Sequence, residues 1–344
     1  MRRCIQLAEL GAGNVAPNPM VGAVLVYNNQ IIGEGYHAHY GEAHAEVNCI
    51  NSVLIVDVDL ISKSILYVSL EPCAHFGKTP PCVDLILKNN IPHVVIGCSD
   101  KFEKVNGAGI QKLIAAGVKV EIKILEDECI DLNKRFFTFH NFKRPYIILK
   151  WAQSNDGFID AEKDIPVKIT NDYTNNLTHK WRADEAAILV GTNTAIKDNP
   201  TLTARNWRSK NPVRIIIDIA LKINTANNVY NNEVPTIIIN RKKMDQVGNT
   251  FFYKLDEQEN VLEGILKCLY NNSVISCLIE GGTKTLQSFI DAGLWDEVRV
   301  ITNTSLNIER GIAAPVLSDA YFTYSLNVFS DRINFFTKKN NEFL

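Results

Sequence analysis

Apolar and polar positions alternate in two rhythms along the chain: short unbroken apolar runs, and stretches where apolar residues recur roughly every three to four positions. Ile5, Leu7, Ala8 and Leu10 mark one face of a helix over 3–10, ended by Gly11 and Gly13. Apolar runs over 21–27 and 30–36, joined through Asn28-Asn29, predict a hairpin. A helix is expected over 44–52, a strand over 65–70, and a helix restarting at Pro81 and reaching 88. Strand 94–98, helix 110–116 and strand 118–124 continue the series, and 126–139 reads as a closing helix. Such alternation argues for an α/β layered fold.

The run His140-Asn141-Phe142-Lys143-Arg144-Pro145 is a polar break, and the pattern starts afresh behind it. Domains are therefore expected at 1–143 and 144–344. The second begins with a strand over 146–152, a helix over 171–183, and strands over 187–190 and 213–218. A strand over 236–240, a helix over 261–270, a strand over 277–280, a helix over 283–292 and a strand over 297–302 follow, making a second α/β domain. There is no repeat, and the Asn-rich stretch 227–232 reads as a solvated turn.

With 344 residues the chain can form two domains, each with its own core. A net charge of −2 and the absence of Lys/Arg clusters argue against a nucleic-acid partner. No run approaches the roughly 20 apolar residues of a membrane span. The first ten residues are amphipathic, with two Arg and a Glu, unlike a signal segment. A soluble cytoplasmic protein with reduced thiols is expected. Cys4, Cys49, Cys98, Cys129, Cys268 and Cys277 lie in apolar surroundings and read as small core residues.

The densest chemistry lies in 41–82. His44, Cys73 and Cys82 offer one imidazole and two thiolates, a set that zinc prefers. A set of only three leaves a fourth position for water, as in a catalytic rather than a structural site. Glu46, two residues after His44 in a first helical turn, can reach that water without ligating the metal, as a proton shuttle does. His-x-Glu followed by Pro-Cys and a second Cys is the signature of zinc-dependent nucleobase deaminases, here with a stretched Cys spacing. In the second domain, Gly191-Thr192-Asn193-Thr194 and Glu280-Gly281-Gly282-Thr283 each join a strand to a helix. They read either as anion cradles or as ordinary turns. Neither they nor Gly11-x-Gly13, Gly33-x-Gly35 and Gly107-x-Gly109 form a Rossmann fingerprint. By residue type alone, Asn18 between two prolines is a turn residue, and Arg182, Asp198, Arg205 and Glu280 are surface charges near the glycine turns.

Along nearly its whole length the chain resembles the bifunctional deaminase and reductase family of riboflavin biosynthesis. Pro17-Asn18-Pro19-Met20-Val21-Gly22, Gly41-Glu42-Ala43-His44-Ala45-Glu46 and the run 70–82 resemble its deaminase part. Leu149-Lys150-Trp151-Ala152, Asp156-Gly157, Ile188-Leu189-Val190-Gly191, Asp198-Asn199-Pro200 and Glu280-Gly281-Gly282 resemble its reductase part. The resemblance implies a cytidine-deaminase-like three-layer domain followed by a dihydrofolate-reductase-like α/β domain. It implies one zinc ion per deaminase domain, NADPH, small phosphorylated pyrimidine substrates and a homo-oligomer, with neither nucleic acid nor membrane as partner. Asn18, His37, His75, Lys78 and Asp100 match positions that hold the deaminase substrate. Lys150 matches a catalytic position of the reductase, and Arg182, Arg205 and Glu280 match its substrate-binding positions. Trp151, Thr170, Gly191, Thr194, Asp198, Gly281 and Gly282 match cofactor-binding positions. The chain departs from the family pattern at Lys101-Phe102-Glu103, at Lys168, where Trp is common, and over 303–309. A nucleic-acid deaminase with an appended binding domain is the competing reading.

Overall fold

The computed structural model describes residues 1–76, 80–100, 107–161, 167–207 and 210–339. Two compact units divide the chain, one formed by Met1–Lys143 and one beginning at Arg144. The junction has a local cause: Lys143 caps the preceding helix in the left-handed region (φ 54°), and Pro145 cannot continue a helix.

In chain order the first unit comprises α1 (Arg2–Glu9), β1 (Gly22–Tyr27), β2 (Gln30–Tyr36), α2 (Ala45–Asn51), β3 (Ile65–Leu70) and α3 (Cys82–Lys88). It continues with β4 (His93–Cys98), α4 (Ala108–Ala115), β5 (Lys119–Glu121), α5 (Glu126–Leu132) and α6 (Lys134–Phe142). The sheet order is β2-β1-β3-β4-β5, with β1 antiparallel to both β2 and β3 and the β3-β4-β5 pairs parallel. Alternation on β1 sends Ala23 and Leu25 to a core shared with α2, α3 and α4, and Val24 to the opposite face against α1. Helices on both faces of one sheet make the three-layer fold. Gly33 and Gly35 of β2 are what let α2 lie so close: a side chain at Gly35 would collide with the backbone of Cys49 and Ala45.

The expected single helix over 126–139 is instead two helices that meet at Asn133. Asn133 turns its side chain away to pair with the backbone of Met20, accepting from its N–H at 2.8 Å and donating to its carbonyl at 2.9 Å. The break itself is in the backbone: Asn133 leaves the helical region (φ −107°, ψ 19°) and its N–H reaches back only to the Ile130 carbonyl at 3.0 Å.

The second unit runs β6 (Tyr146–Ser154), β7 (Phe158–Ala161), α7 (Asp172–Asp184), β8 (Ala187–Gly191), α8 (Thr192–Lys197), β9 (Val213–Ile217), β10 (Thr236–Asn240), β11 (Asp245–Val247) and β12 (Thr250–Lys254). It ends with α9 (Val261–Asn271), β13 (Ser276–Ile279), α10 (Thr283–Asp291), β14 (Glu297–Asn303), β15 (Gly311–Ala313), β16 (Ala320–Val328) and β17 (Asp331–Lys338). The large sheet has the order β11-β12-β10-β9-β8-β13-β6-β14-β17-β16. Its centre, from β12 to β14, is parallel, and its edges are antiparallel. Central strands covered on both faces read as unbroken apolar runs, as 187–190 and 237–239 do. On β6, Ile147 and Leu149 face the core with α9 and α10, while Tyr146 and Ile148 face Trp181 of α7. Asn171 caps α7 by accepting from the Thr174 N–H at 2.9 Å, a contact worth about 1 kcal/mol. The pattern reading missed the terminal hairpin β16-β17. On β16 the apolar residues Tyr321, Phe322, Tyr324 and Leu326 are exposed, so no buried-against-solvated alternation marks it.

Candidate active sites

In the first unit, β3 ends and the chain runs through Glu71-Pro72 to Cys73, while α2 and α3 begin beside it. His44 stands at the N-cap of α2 and Cys82 opens α3. The His44 Nδ1 atom lies 3.6 Å from Cys73 Sγ and 3.3 Å from Cys82 Sγ, and all three donor atoms fall within 4.8 Å of one another. Zinc bound tetrahedrally at about 2.0 Å from nitrogen and about 2.3 Å from sulfur places N and S about 3.6 Å apart, so the set fits the ion. Among the described residues it is the one His/Cys/Asp/Glu group with such geometry.

Electrostatics favour metal binding as well. The Cys82 thiol donates to Cys73, and His44 and the Cys82 N–H (3.3 Å) add to it, so Cys73 is a thiolate with a pKa lowered to about 4 despite burial. Cys82 is pushed the opposite way, first by its bond to Cys73 and then by burial. His44 is raised, chiefly by Cys73. Glu46, in the first turn of α2, is only 3% exposed, and burial followed by the Cys73 charge raises its pKa. A carboxyl that holds its proton more tightly than usual suits both accepting and releasing one.

Next to this centre His37 is buried and neutral. Its Nδ1–H donates to the Ala43 carbonyl (3.0 Å), so Nε2 accepts from the Asn18 amide (3.1 Å), and burial lowers its pKa. The His37 ring meets that of His44 edge-on at 5.4 Å. Asn18 is thus oriented on one side by His37, and its loop is held by the Asn133–Met20 pair. Asp100 is buried just past the end of β4, beside β3, and His75 is exposed two residues after Cys73. Lys78 and Lys101-Phe102-Glu103 lie outside the described residues.

In the second unit a cavity of about 810 Å³ opens at the C-terminal ends of β8, β9 and β13, where ligands collect in parallel sheets. Lys150, Trp151, Thr170, Arg182, Gly191, Thr194, Asp198, Glu280, Gly281 and Gly282 all line it. Glu280 takes a two-pronged contact from Arg182 (Nε to Oε1 3.0 Å, Nη2 to Oε2 2.7 Å), and Lys150 Nζ stands 3.9 Å from the same carboxylate. Against burial, which pushes upward, Arg182 and then Lys150 hold Glu280 at about 2. Burial lowers Lys150, opposed by Glu280. Asp198 is raised by burial and then by Asp160.

The glycines divide in role. A side chain at Gly191 or Gly281 would press on Thr285 at 2.7–2.8 Å, so these two let the turns close around α10. Gly282, the N-cap of α10, has nothing nearer than 3.5 Å and no side-chain cap, which leaves open N–H groups suited to a phosphate. Arg205 does not line the cavity; it is exposed and donates to Thr201 at 3.1 Å. Lys168 is exposed at the rim and pairs with Asp172 at 2.6 Å.

Residues 1–98 match the cytidine and deoxycytidylate deaminase zinc-binding region, and residues 145–306 match the RibD C-terminal domain. The riboflavin biosynthesis protein RibD of Aquifex aeolicus is 39% identical over 87% of this chain and 85% of its own length. That of Bacillus amyloliquefaciens is also 39% identical, over 87% of this chain and 82% of its own. The chain belongs to the RibD family. A crystal structure of the diaminohydroxyphosphoribosylaminopyrimidine deaminase/5-amino-6-(5-phosphoribosylamino)uracil reductase of Thermotoga maritima is 33% identical, with a TM-score of 0.90 over 98% of this chain and 97% of that one. Acinetobacter baumannii RibD is 27% identical with a TM-score of 0.88. Like its relatives in the RibD family, the chain is a bifunctional deaminase and reductase of riboflavin biosynthesis, with a zinc-binding deaminase domain and an NADPH-using reductase domain. A RibD-type second unit sets aside the nucleic-acid deaminase with an appended binding domain. No described helix is long and apolar enough to cross a membrane. Residue reasoning passed over Glu71, Asn133 and His179. Each is a buried polar side chain bonded to backbone far along the chain, and no local spacing announces such a contact.

Proposed function

We propose that the chain converts 2,5-diamino-6-(5-phosphoribosylamino)pyrimidin-4-one to the aminouracil with release of ammonia, then reduces the ribosyl group of 5-amino-6-(5-phosphoribosylamino)uracil to ribityl, using the residues described above. The observation that carries this reading is the buried Glu46 beside a His44/Cys73/Cys82 set of zinc geometry.

When bound by His44, Cys73 and Cys82, zinc supplies Lewis acidity that makes water nucleophilic near neutral pH. Glu46 accepts the proton of the attacking water at a carboxylate oxygen and passes it to the departing amino group. Asn18, held by His37, and Asp100 fix the pyrimidine edge, with His75 and Lys78 completing the substrate contacts. Water adds to the amidine carbon, the C–N bond breaks, and ammonia leaves with the carbonyl formed.

In the reductase NADPH supplies hydride. Gly282 and the first N–H groups of α10 hold its phosphates, with Gly191, Thr194, Gly281, Trp151, Thr170 and Asp198 around it. Lys150, a buried cation whose proton is loosened, serves the proton half of the reduction at the opened sugar. Glu280 holds Lys150 and Arg182 in place, and Arg182 takes the substrate phosphate.

Incubating the purified chain with the diaminopyrimidinone ribotide and following product mass tests this. Ammonia loss without NADPH, then a gain of two hydrogens only with it, is expected; the absence of both changes overturns the reading. A cytoplasmic homo-oligomer completes it, supported by the six buried thiols outside the metal set and the exposed aromatic edge strand β16. Sedimentation of the full chain as a monomer would contradict that part.

A further inference from the structure

Glu71 is 4% exposed, and its carboxylate is surrounded by backbone donors. Oε2 accepts from the N–H groups of Asp100 and Gly107, each at 3.2 Å. Oε1 accepts from Gly109 at 3.0 Å and Ile110 at 3.3 Å, in the first turn of α4. The Glu71 N–H itself donates to the Cys98 carbonyl at 3.0 Å, continuing the β3–β4 pairing past the end of β3. A side chain at Gly109 would collide with the Pro72 carbonyl, so α4 is seated directly on the Glu71-Pro72 backbone that leads into Cys73.

A carboxylate fits this position for two reasons. Its two oxygens can accept all four N–H groups, which an amide with one oxygen cannot. Its negative charge also lies at the N-terminal end of α4, where the helix dipole favours it. Bonds from backbone N–H to a charged acceptor are also stronger than neutral ones.

We propose that Glu71 is a positioning residue for the deaminase: it sets the place of Asp100 relative to the metal centre. This rests on the reading above that Asp100 touches the substrate. Cys73 and Asp100 leave the sheet from neighbouring parallel strands, and Glu71 joins the two exits through one side chain. Glu71 reaches the reaction through the placement of Asp100, so its loss weakens substrate binding rather than the chemical step.

Steady-state deaminase kinetics of Glu71→Gln, Asp100→Asn and the double variant, with zinc content and reductase rate on the aminouracil substrate measured on the same samples, test this. Glu71→Gln is expected to raise KM about tenfold, with kcat within about twofold, zinc unchanged and the reductase rate unchanged. The double variant should be no worse than Asp100→Asn alone, since residues acting as a unit are not additive. If Asp100→Asn leaves KM unchanged, the substrate-contact reading fails. If it raises KM while Glu71→Gln does not, or if the two effects multiply, the positioning role is overturned. Loss of zinc in Glu71→Gln also overturns it, in favour of support for Cys73. Should the Gln variant fail to fold, Glu71→Asp keeps the charge and carries the same expected KM–kcat split, and its failure to fold would leave a purely structural role.

Discussion

The deaminase centre and the reductase cavity both sit where parallel strands end, yet they are assembled differently. The first takes its candidate metal ligands and Glu46 from two short segments, 44–46 and 73–82, each meeting the start of a helix. The second gathers Lys150 from a strand, Arg182 from α7, and glycine turns from the ends of β8 and β13. The first site concentrates its chemistry in rare residue types, whereas the second builds it from common ones brought together by the sheet. A small set of Cys and His therefore identifies a reaction, while a Lys–Glu–Arg cluster becomes informative only once its burial is known.

The variant that should separate the sites most sharply is Glu46→Gln. Deaminase kcat is expected to fall about a thousandfold, the scale of a lost proton shuttle, with zinc still bound and the reductase rate intact. An equal fall in reductase rate would mean that the two sites do not fail independently, and loss of zinc would mean that Glu46 supports the metal and not only the proton.

Next in size is Glu280→Gln, which leaves Arg182 and Lys150 buried without their counter-charge. Melting of the full chain should show a loss of about 3 kcal/mol together with loss of reduction, while deamination persists. The same carboxylate sets a pH dependence. Its folded pKa of about 2 lies below the ordinary 4.5, so its contribution is present above about 4.5 and is lost as pH falls towards 2. Arg182 and Lys150, acting against burial, make that contribution about 3 kcal/mol, and melting measured from about pH 5 to pH 3 should fall less steeply in the Gln variant than in the parent. Equal slopes would mean that the cluster is not charged as described.

The smallest effect is expected at Asn18→Ala, which removes the donor to His37 Nε2, and with it the proposed substrate contact, without touching His44, Cys73 or Cys82. A rise in deaminase KM of about tenfold with kcat little changed is expected from steady-state rates; a fall in kcat alone would place Asn18 in the proton path instead.

Much of the first site was legible before any fold was known. His44, Glu46, Cys73 and Cys82 were recognisable because ligand type and spacing are local properties. Glu71 was not, since an isolated Glu two residues before a Cys looks like any surface acid until Asp100, Gly107, Gly109 and Ile110 surround it. Asn133 likewise reads as helix interior until Met20 arrives to pair with it. In the second unit Gly191 and Gly281 were visible as turn glycines, but their packing on Thr285 could be seen only in the fold. Arg182 read as a surface charge, and the fold turns it inward onto Glu280.

By itself the sequence determined two α/β units, the strand and helix positions that come from apolar periodicity, and the His44/Cys73/Cys82 set with its Glu46, because each of these is encoded within a few residues of chain. Only the tertiary structure decided which polar side chains are buried, which carboxylates hold which backbone donors, and which glycines are packed and which open to a ligand. Those depend on contacts between residues far apart in the chain: burial shifts the Glu46 and Lys150 proton affinities away from their ordinary values, and the Arg182 and Lys150 charges brought beside Glu280 shift its affinity against burial.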